Sequence, residues 1–523
     1  IIQTIESADP PLSSVPQDKQ DFLWNLTISI VNLLRLLAES RGEVVEAISE
    51  LVTIPNFLFG LTSLITVPNR VQIEVLLCTI SLTEDNYAIT RKIAETDSWL
   101  KTLYKLKDSN QLDAVYACAV LHNIFSSMRW SEYDTPEDDM TDATLIPILT
   151  RFIEKSASDE TNDRNHLKFD QALQIALDVI ASIASSFQEA IEHASPSKKD
   201  FASLNGNNLP NNDIEMETEN VSEEMNEEVS DADMEILASY EHVEQEESSS
   251  TEITLDRLVR DATPKILRMY NFTKYSDCIN EHILAALNNI AWIISNIDDC
   301  TTHLAALQKT WDCLAQEIWD HTVSPALDFC TTDAEIPSLI TSLAWAIARR
   351  LKGAIKLKEN EVQKFMALYQ ASRDLKQTPS KHSKDLKGVD DPFQSLEVKC
   401  IGVLGNLARV PVAIEQNRQI GRFLITILSS SDVPQENVVE SLNQIFDIYA
   451  DSCYSFDGLV FWGDNLYTSL EGVQSKIRQM VKTIDKRKFA ELRIRADEAL
   501  LNLGRFLAYK RKEKANQMDI LSS

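Results

Sequence analysis

The sequence predicts an all-α armadillo/HEAT-type superhelical solenoid interrupted by a long acidic insertion. Three observations predict it: helical apolar periodicity that runs helix after helix from Phe22 onward, a recurring small-or-amide position inside those helices, and scarcity of glycine. Only 12 glycines and 16 prolines occur in 523 residues, while 44% of the chain is hydrophobic. Sheets and barrels draw on glycine for their many tight turns, whereas Leu-, Ala- and Glu-rich composition favours helices. A chain of this length also exceeds what a single core supports, so it must be several domains or a repeat array.

In the first part, apolar periodicity marks helices at Phe22–Leu37, Leu51–Ile65, Val71–Leu82, Trp99–Leu106, Asp113–Met128 and Ala143–Ile153. Ser40-Arg41-Gly42 reads as a stop signal. Short polar turns between helices of this size suggest stacked hairpins. The recurring feature is an apolar helix with an amide or small residue at its centre. It appears in Leu121-His122-Asn123-Ile124, Leu287-Asn288-Asn289-Ile290-Ala291, Ser342-Leu343-Ala344-Trp345, Leu404-Gly405-Asn406-Leu407-Ala408 and Leu500-Leu501-Asn502-Leu503, and more weakly in Leu442-Asn443-Gln444-Ile445. The last interval, from Asn406 to Asn502, fits two repeats of the armadillo/HEAT length, ~40–47 residues. The interval from Ser342 to Asn406 fits one repeat plus a polar loop, and that from Asn289 to Ser342 fits poorly.

These signals divide the chain into 1–192, armadillo-like repeats; 193–254, an acidic loop; 255–370, HEAT-like repeats; 371–397, a polar loop with four lysines; and 398–523, further HEAT-like repeats with a basic end. The formal net charge is −30, and Asp200–Asp256 alone holds 18 acidic residues with no Lys or Arg. Such a stretch buries too little apolar area to offset chain entropy and is expected to be disordered by itself. Its later part differs. Met234, Leu237 and Tyr240 share one broad helical face, Asp233 and Glu241 fall within it, and Asp231 and Glu235 lie away from it. This pattern over 230–241 suits a short helix that folds on a partner offering apolar and cationic groups. A solvating spacer is the alternative.

In a right-handed solenoid the innermost helices line a concave surface, where an Asn offers an extended peptide both a donor and an acceptor. The candidate groove residues are therefore Asn289, Ser342, Asn406 and Asn502, with Trp292, Trp345 and Arg409 three residues after the first three of them. Tryptophan brings a large contact area at low entropy cost. Both tryptophans read equally well as core between repeats. From Lys476 to Lys514 there are 13 Lys/Arg against five Asp/Glu, densest at Lys486-Arg487-Lys488 and Lys510-Arg511-Lys512. This stretch could touch RNA or an acidic partner, but aromatic interleaving is sparse (Phe489, Phe506, Tyr509) and no RNA-binding module signature is present, so a solvated capping helix is expected there.

Reactive chemistry is not indicated. The chain has no Gly-rich phosphate loop, no Gly-x-Ser-x-Gly and no His-Glu-x-x-His. No enzyme activity, cofactor or metal is expected; Cys300-Thr-Thr-His303 is the only metal-like spacing. The histidines His122 and His282 sit in apolar helices and read as structural. The eight cysteines form no Cys-x-x-Cys pair and read as reduced, mostly buried thiols. No apolar run is read as reaching the ~20 residues of a membrane span. The chain starts at Ile1 without Met, so a preceding segment is expected.

With its order of armadillo-like repeats, acidic loop, HEAT-like repeats and basic end, the chain resembles the symportin family of transport adaptors. Leu284-Ala285-Ala286-Leu287-Asn288-Asn289-Ile290-Ala291-Trp292 and Ser342-Leu343-Ala344-Trp345-Ala346 are similar to that family's central repeats. The resemblance implies a chaperone and nuclear co-import adaptor for the two ribosomal proteins that bind 5S ribosomal RNA. One cargo would offer an N-terminal peptide to the groove; the other would engage the acidic-loop helix through its rRNA-binding surface. It also implies a transportin-type receptor acting on an N-terminal extension, and shuttling between cytoplasm and nucleus. No membrane and no direct nucleic-acid partner are expected. A nuclear transport receptor or generic scaffold, and a histone-type chaperone, are the other readings.

Overall fold

The computed structural model describes residues 15–40, 42–51, 53–64, 67–109, 112–129, 141–158, 166–194, 252–270, 277–297, 305–328, 335–377 and 391–522. The seven candidate residues of the acidic loop, from Asp231 to Glu241, and Cys300-Thr-Thr-His303 lie outside them. The described residues are helical with no strand, and they fall into two compact units, Ile1–Met269 and Tyr270–Ser523.

The first unit contains α1 (Gln17–Ser40), α2 (Gly42–Glu50), α3 (Thr53–Ser63), α4 (Asn69–Thr83), α5 (Tyr87–Ala94), α6 (Asp97–Lys107), α7 (Asp113–Arg129), α8 (Ile146–Ser158) and α9 (His166–Ala194). After the insertion come a π-helical turn, Leu258–Ala262, and α10 (Thr263–Met269). Helices α1, α4, α7 and α9 form one row, each packing on the next, while α3, α6 and α8 lie behind it. The triplet α5–α6–α7 has the three-helix pattern of an armadillo repeat. The sequence reading missed its first helix, α5, which is only two turns long. Asn86 starts it by accepting a hydrogen bond from the Ile89 amide at 3.3 Å. Helix α2 was missed too: a new helix opens at Gly42, the residue read as the end of a stop signal.

Polar side chains at the seams hold the row in register. Asn123 on α7 donates to Ile80 O (3.3 Å) and Thr83 Oγ1 (3.0 Å) on α4. His122 is buried, as a structural histidine should be, with Nδ1 2.8 Å from Asp142 Oδ1 and Nε2 2.8 Å from Ser182 Oγ on α9. Behind the row, Phe59 and Trp99 stack at 4.7 Å and join α3 to α6. Helix α1 corrects one expectation: by length and hydropathy it could cross a membrane. Its inner stripe, Trp24, Thr27, Val31 and Ala38, is buried, and the helix packs on α4 as the end of the row.

The insertion leaves this unit and returns to it. Helix α9 precedes it. Beyond it, the π-turn packs on α8 and α9, and α10 on α8. Lys265 pairs with Glu154 at 3.3 Å, and the Arg257 guanidinium donates to the Ala143 carbonyl.

The second unit contains α11 (Asp277–Asn296), α12 (Ala305–Ile318), α13 (Glu335–Leu351), α14 (Glu361–Gln377), α15 (Leu396–Leu407), α16 (Ile414–Ser429), α17 (Gln435–Ile448), α18 (Leu466–Thr483) and α19 (Ala490–Ser522). The front row is α11–α13–α15–α17–α19, and α12, α14, α16 and α18 pack behind it. Helix α15 is the centre, with every residue from Glu397 to Leu407 buried. Ser395 caps its start by accepting from the Val398 amide. Its two glycines permit close helix approach. A Cβ at Gly402 would lie 2.1 Å from the Trp345 ring on α13, and one at Gly405 would lie 2.1 Å from Gln444 Oε1 on α17. In the second layer, Trp319 and Glu361 are buried together, Nε1 donating to Oε2 at 3.0 Å.

Two readings of chemistry change. Among the described cysteines, Cys78, Cys118 and Cys400 are buried free thiols, and burial raises Cys78 and Cys118 to about 12; Cys278, Cys313 and Cys453 are exposed rather than buried. The basic run Lys510-Arg511-Lys512 is not uniformly solvated. Lys510 has no exposed side-chain surface, and its Nζ is 2.8 Å from the buried Asp457 Oδ1 and 3.3 Å from Glu513 Oε2.

Candidate functional site: the front face of the second helix row

The candidate groove residues lie on α11, α13, α15 and α19, four of the five front-row helices, except Arg409, which follows the end of α15. Trp292 (α11) and Trp345 (α13) are half-buried and meet edge to face, with ring centroids 5.5 Å apart and an interplanar angle of 76°. Edge-to-face contact suits ring quadrupoles and fixes both indoles. Ser342, 8% exposed, accepts a hydrogen bond from Trp292 Nε1 at 3.1 Å. Trp345 then fills the hollow over Gly402. The sequence's choice between groove and core thus resolves into an intermediate placement: each indole is seated on the row but keeps part of its surface open.

The amides differ from the expected uniform ladder. Asn289 and Asn502 are half-buried, and Asn289 Oδ1 accepts from Asn288 Nδ2 at 3.2 Å. Asn406 is only 3% exposed. Its Nδ2 donates to Gly402 O of its own helix at 2.8 Å, and its Oδ1 receives Arg409 Nη1 at 3.5 Å. Asn406 therefore orients Arg409 and is not an open amide. The cause is the tight α13–α15–α17 packing, which covers α15 through to its last turn, where Gly405 abuts Gln444. Arg409 continues to Asp447 Oδ2 on α17 at 3.2 Å.

Several residues on this face escaped the sequence reading. Arg349 is exposed on α13, with its guanidinium carbon 5.9 Å from the Trp292 ring centroid. Its position, four residues after Trp345, was the available signal. On α17, the buried Glu440 accepts from Gln444 Nε2 at 2.7 Å. Burial pushes the Glu440 carboxyl up; Gln444 opposes this, Asp447 adds to it, and Arg495 and Arg349 oppose it. Lys399 on α15 is nearly buried, bonds to Ser338 Oγ at 2.8 Å, and is held below the usual lysine range by desolvation. The face therefore combines aromatic edges, hydrogen-bonding groups and charges of both signs along successive helices. That combination suits non-covalent recognition of an extended chain.

A helical-repeat protein with a polar-aromatic row face is the class that fold and site define. Residues 250–514 match the family described as SYO1-like, TPR repeats. The chain is 35% identical to Symportin 1 of Chaetomium thermophilum over 98% of this chain and 80% of the relative. It therefore belongs to the symportin family. More distant relatives are the armadillo repeat protein involved in nucleocytoplasmic transport Syo2 of Schizosaccharomyces pombe (26% identical, 47% of this chain and 34% of the relative) and Synchronized import protein 1 of Saccharomyces cerevisiae (25%, 54% and 42%). An engineered protein of solved structure aligns with 94% of this chain and 97% of its own at 15% identity and TM-score 0.36, a likeness that adds nothing to the assignment.

Proposed function

We propose that this protein is a non-catalytic import adaptor and chaperone for the two ribosomal proteins that bind 5S ribosomal RNA. The observation that carries the reading is the row face of the second unit, with Trp292, Ser342 and Trp345 on adjacent helices, in a chain of the symportin family. In this reading, one client lays an N-terminal peptide along that face, contacting Asn289, Trp292, Trp345, Arg409 and Asn502. The second client's rRNA-binding surface meets the acidic insertion at Asp231, Asp233, Met234, Glu235, Leu237, Tyr240 and Glu241. Carboxylates there take the place of RNA phosphates, and the apolar residues add local burial. Both ends of the insertion belong to the first unit, so the arm is tethered to a folded body while its middle reaches a client. A transportin-type receptor acting on an N-terminal extension carries the loaded complex between cytoplasm and nucleus. The names of the relatives Syo2 and Synchronized import protein 1 support a transport role.

Deleting Asn212–Ser250 tests the division of labour. In capture assays at physiological salt, the deletion abolishes binding of one 5S-binding ribosomal protein and spares the other. Retention of both clients would refute the assignment of the insertion.

A further inference from the structure

At the far end of the second unit, a second site lies apart from the row face. It is an open cavity of ≈190 Å³ between the π-turn Asp457–Trp462, the start of α18 and the end of α19, lined by Trp462, Asn465, Tyr467, Thr468, Arg511 and Lys514. Trp462 and Tyr467 stack at 5.0 Å with a 22° interplanar angle. Lys514 Nζ lies 4.2 Å from the Trp462 centroid, and Lys514 has no carboxylate within bridging distance among the described residues. Arg511, its side chain 71% exposed, donates to Tyr467 Oη at 3.2 Å and to Glu471 Oε1 at 2.9 Å. Lys510 beneath is held by Asp457 and Glu513, so Lys514 is the cation open to a ligand, and the exposed Arg511 joins it by turning from Glu471.

We propose that this cavity binds single-stranded nucleic acid, with Arg511 and Lys514 taking a backbone phosphate and Trp462 taking the adjacent base. In the free protein, Tyr467 stacks on Trp462 and Lys514 covers the ring with its ammonium. A phosphate draws Lys514 off the ring, and the uncovered indole becomes a stacking platform; base–aromatic stacking and backbone cations are the usual elements of single-strand binding. An acidic peptide satisfies the cations but leaves the ring unused, which favours a nucleic acid. The surrounding stretch, 13 basic against five acidic residues from Lys476 to Lys514, supplies the positive field that a polyanion needs, although the whole chain is acidic. This site departs from the absence of a nucleic-acid partner expected from sequence and is independent of the proposed clients.

The test is fluorescence anisotropy on the full chain, with a labelled 12-mer oligouridylate and a labelled 12-mer poly-glutamate as probes. The expected result is at least tenfold tighter binding of the oligouridylate. Arg511→Glu with Lys514→Glu is expected to weaken oligouridylate binding at least tenfold. Lys486→Glu with Lys488→Glu, the same charge change elsewhere in the basic stretch, is expected to weaken it less than threefold. Equal affinity for the two probes, equal losses in the two double variants, or no oligouridylate binding by the parent chain would each overturn the proposal.

Discussion

At the residue scale, Glu440 shows how burial sets the chemistry of the row face. Its carboxyl is held above the usual carboxylate range chiefly by desolvation. The folded state thus prefers the protonated form more than the unfolded state does. The stability this group contributes is present below its unfolded value near pH 4 and is lost as pH rises through the folded value. Glu440→Gln keeps an acceptor for Gln444 and removes the ionisation. It is expected to raise the melting temperature by roughly 2 °C at pH 7.5, consistent with an effect of under about 1 kcal/mol, and to change it little at pH 4. Scanning calorimetry at the two pH values checks this; equal shifts at both would point to packing instead of charge. Sequence pattern alone gave access to part of this chemistry. The three-residue offsets Asn289/Trp292 and Ser342/Trp345 mark shared faces, because helical periodicity reports which side chains lie together. It does not report how deeply a face is covered, and so Asn406 was read as an open amide when α15 is buried between its neighbours.

At the element scale, the approach of α13 to α15 depends on Gly402. A methyl group there would lie 2.1 Å from Trp345 Cε2, with the rest of the indole close behind. Trp345 must then move, and it is the ring that braces Trp292. Gly402→Ala is expected to destabilise the second unit by about 1–3 kcal/mol and to weaken the peptide client on the row face while leaving the client of the acidic insertion unaffected. Denaturant unfolding and separate binding assays measure both effects; an alanine variant with unchanged stability would mean that the indole yields freely. Helix α19 was only partly legible in the sequence. Its charge run suggested a solvated cap, but Leu503, Phe506, Leu507 and Lys510 follow helical spacing and face inward. The stripe was present in the sequence. What composition could not supply was the buried Asp457, 53 residues earlier, that permits a lysine on it.

At the scale of the whole molecule, the all-helical repeat character of both units was legible because repetition leaves a signal in every helix. The manner of attachment was not, since it depends on contacts between α10 and α8 across the insertion. These contacts have a measurable consequence. Cleavage at a protease site engineered near residue 220 is expected to leave two fragments that co-elute in native gel filtration, because the helical stretch after the insertion stays packed on α8 and α9. Denaturant should separate them; separation under native conditions would show that 252–269 does not anchor to the first unit.

In the proposed division of labour, two kinds of surface on one chain hold two different basic clients. Calorimetric titration of each 5S-binding ribosomal protein into a Trp292→Ala/Trp345→Ala variant separates the two surfaces. At least a tenfold loss of affinity is expected for the client with the N-terminal peptide, with unchanged affinity for the client of the acidic insertion. Undiminished binding of both, or an equal loss of both, would contradict it.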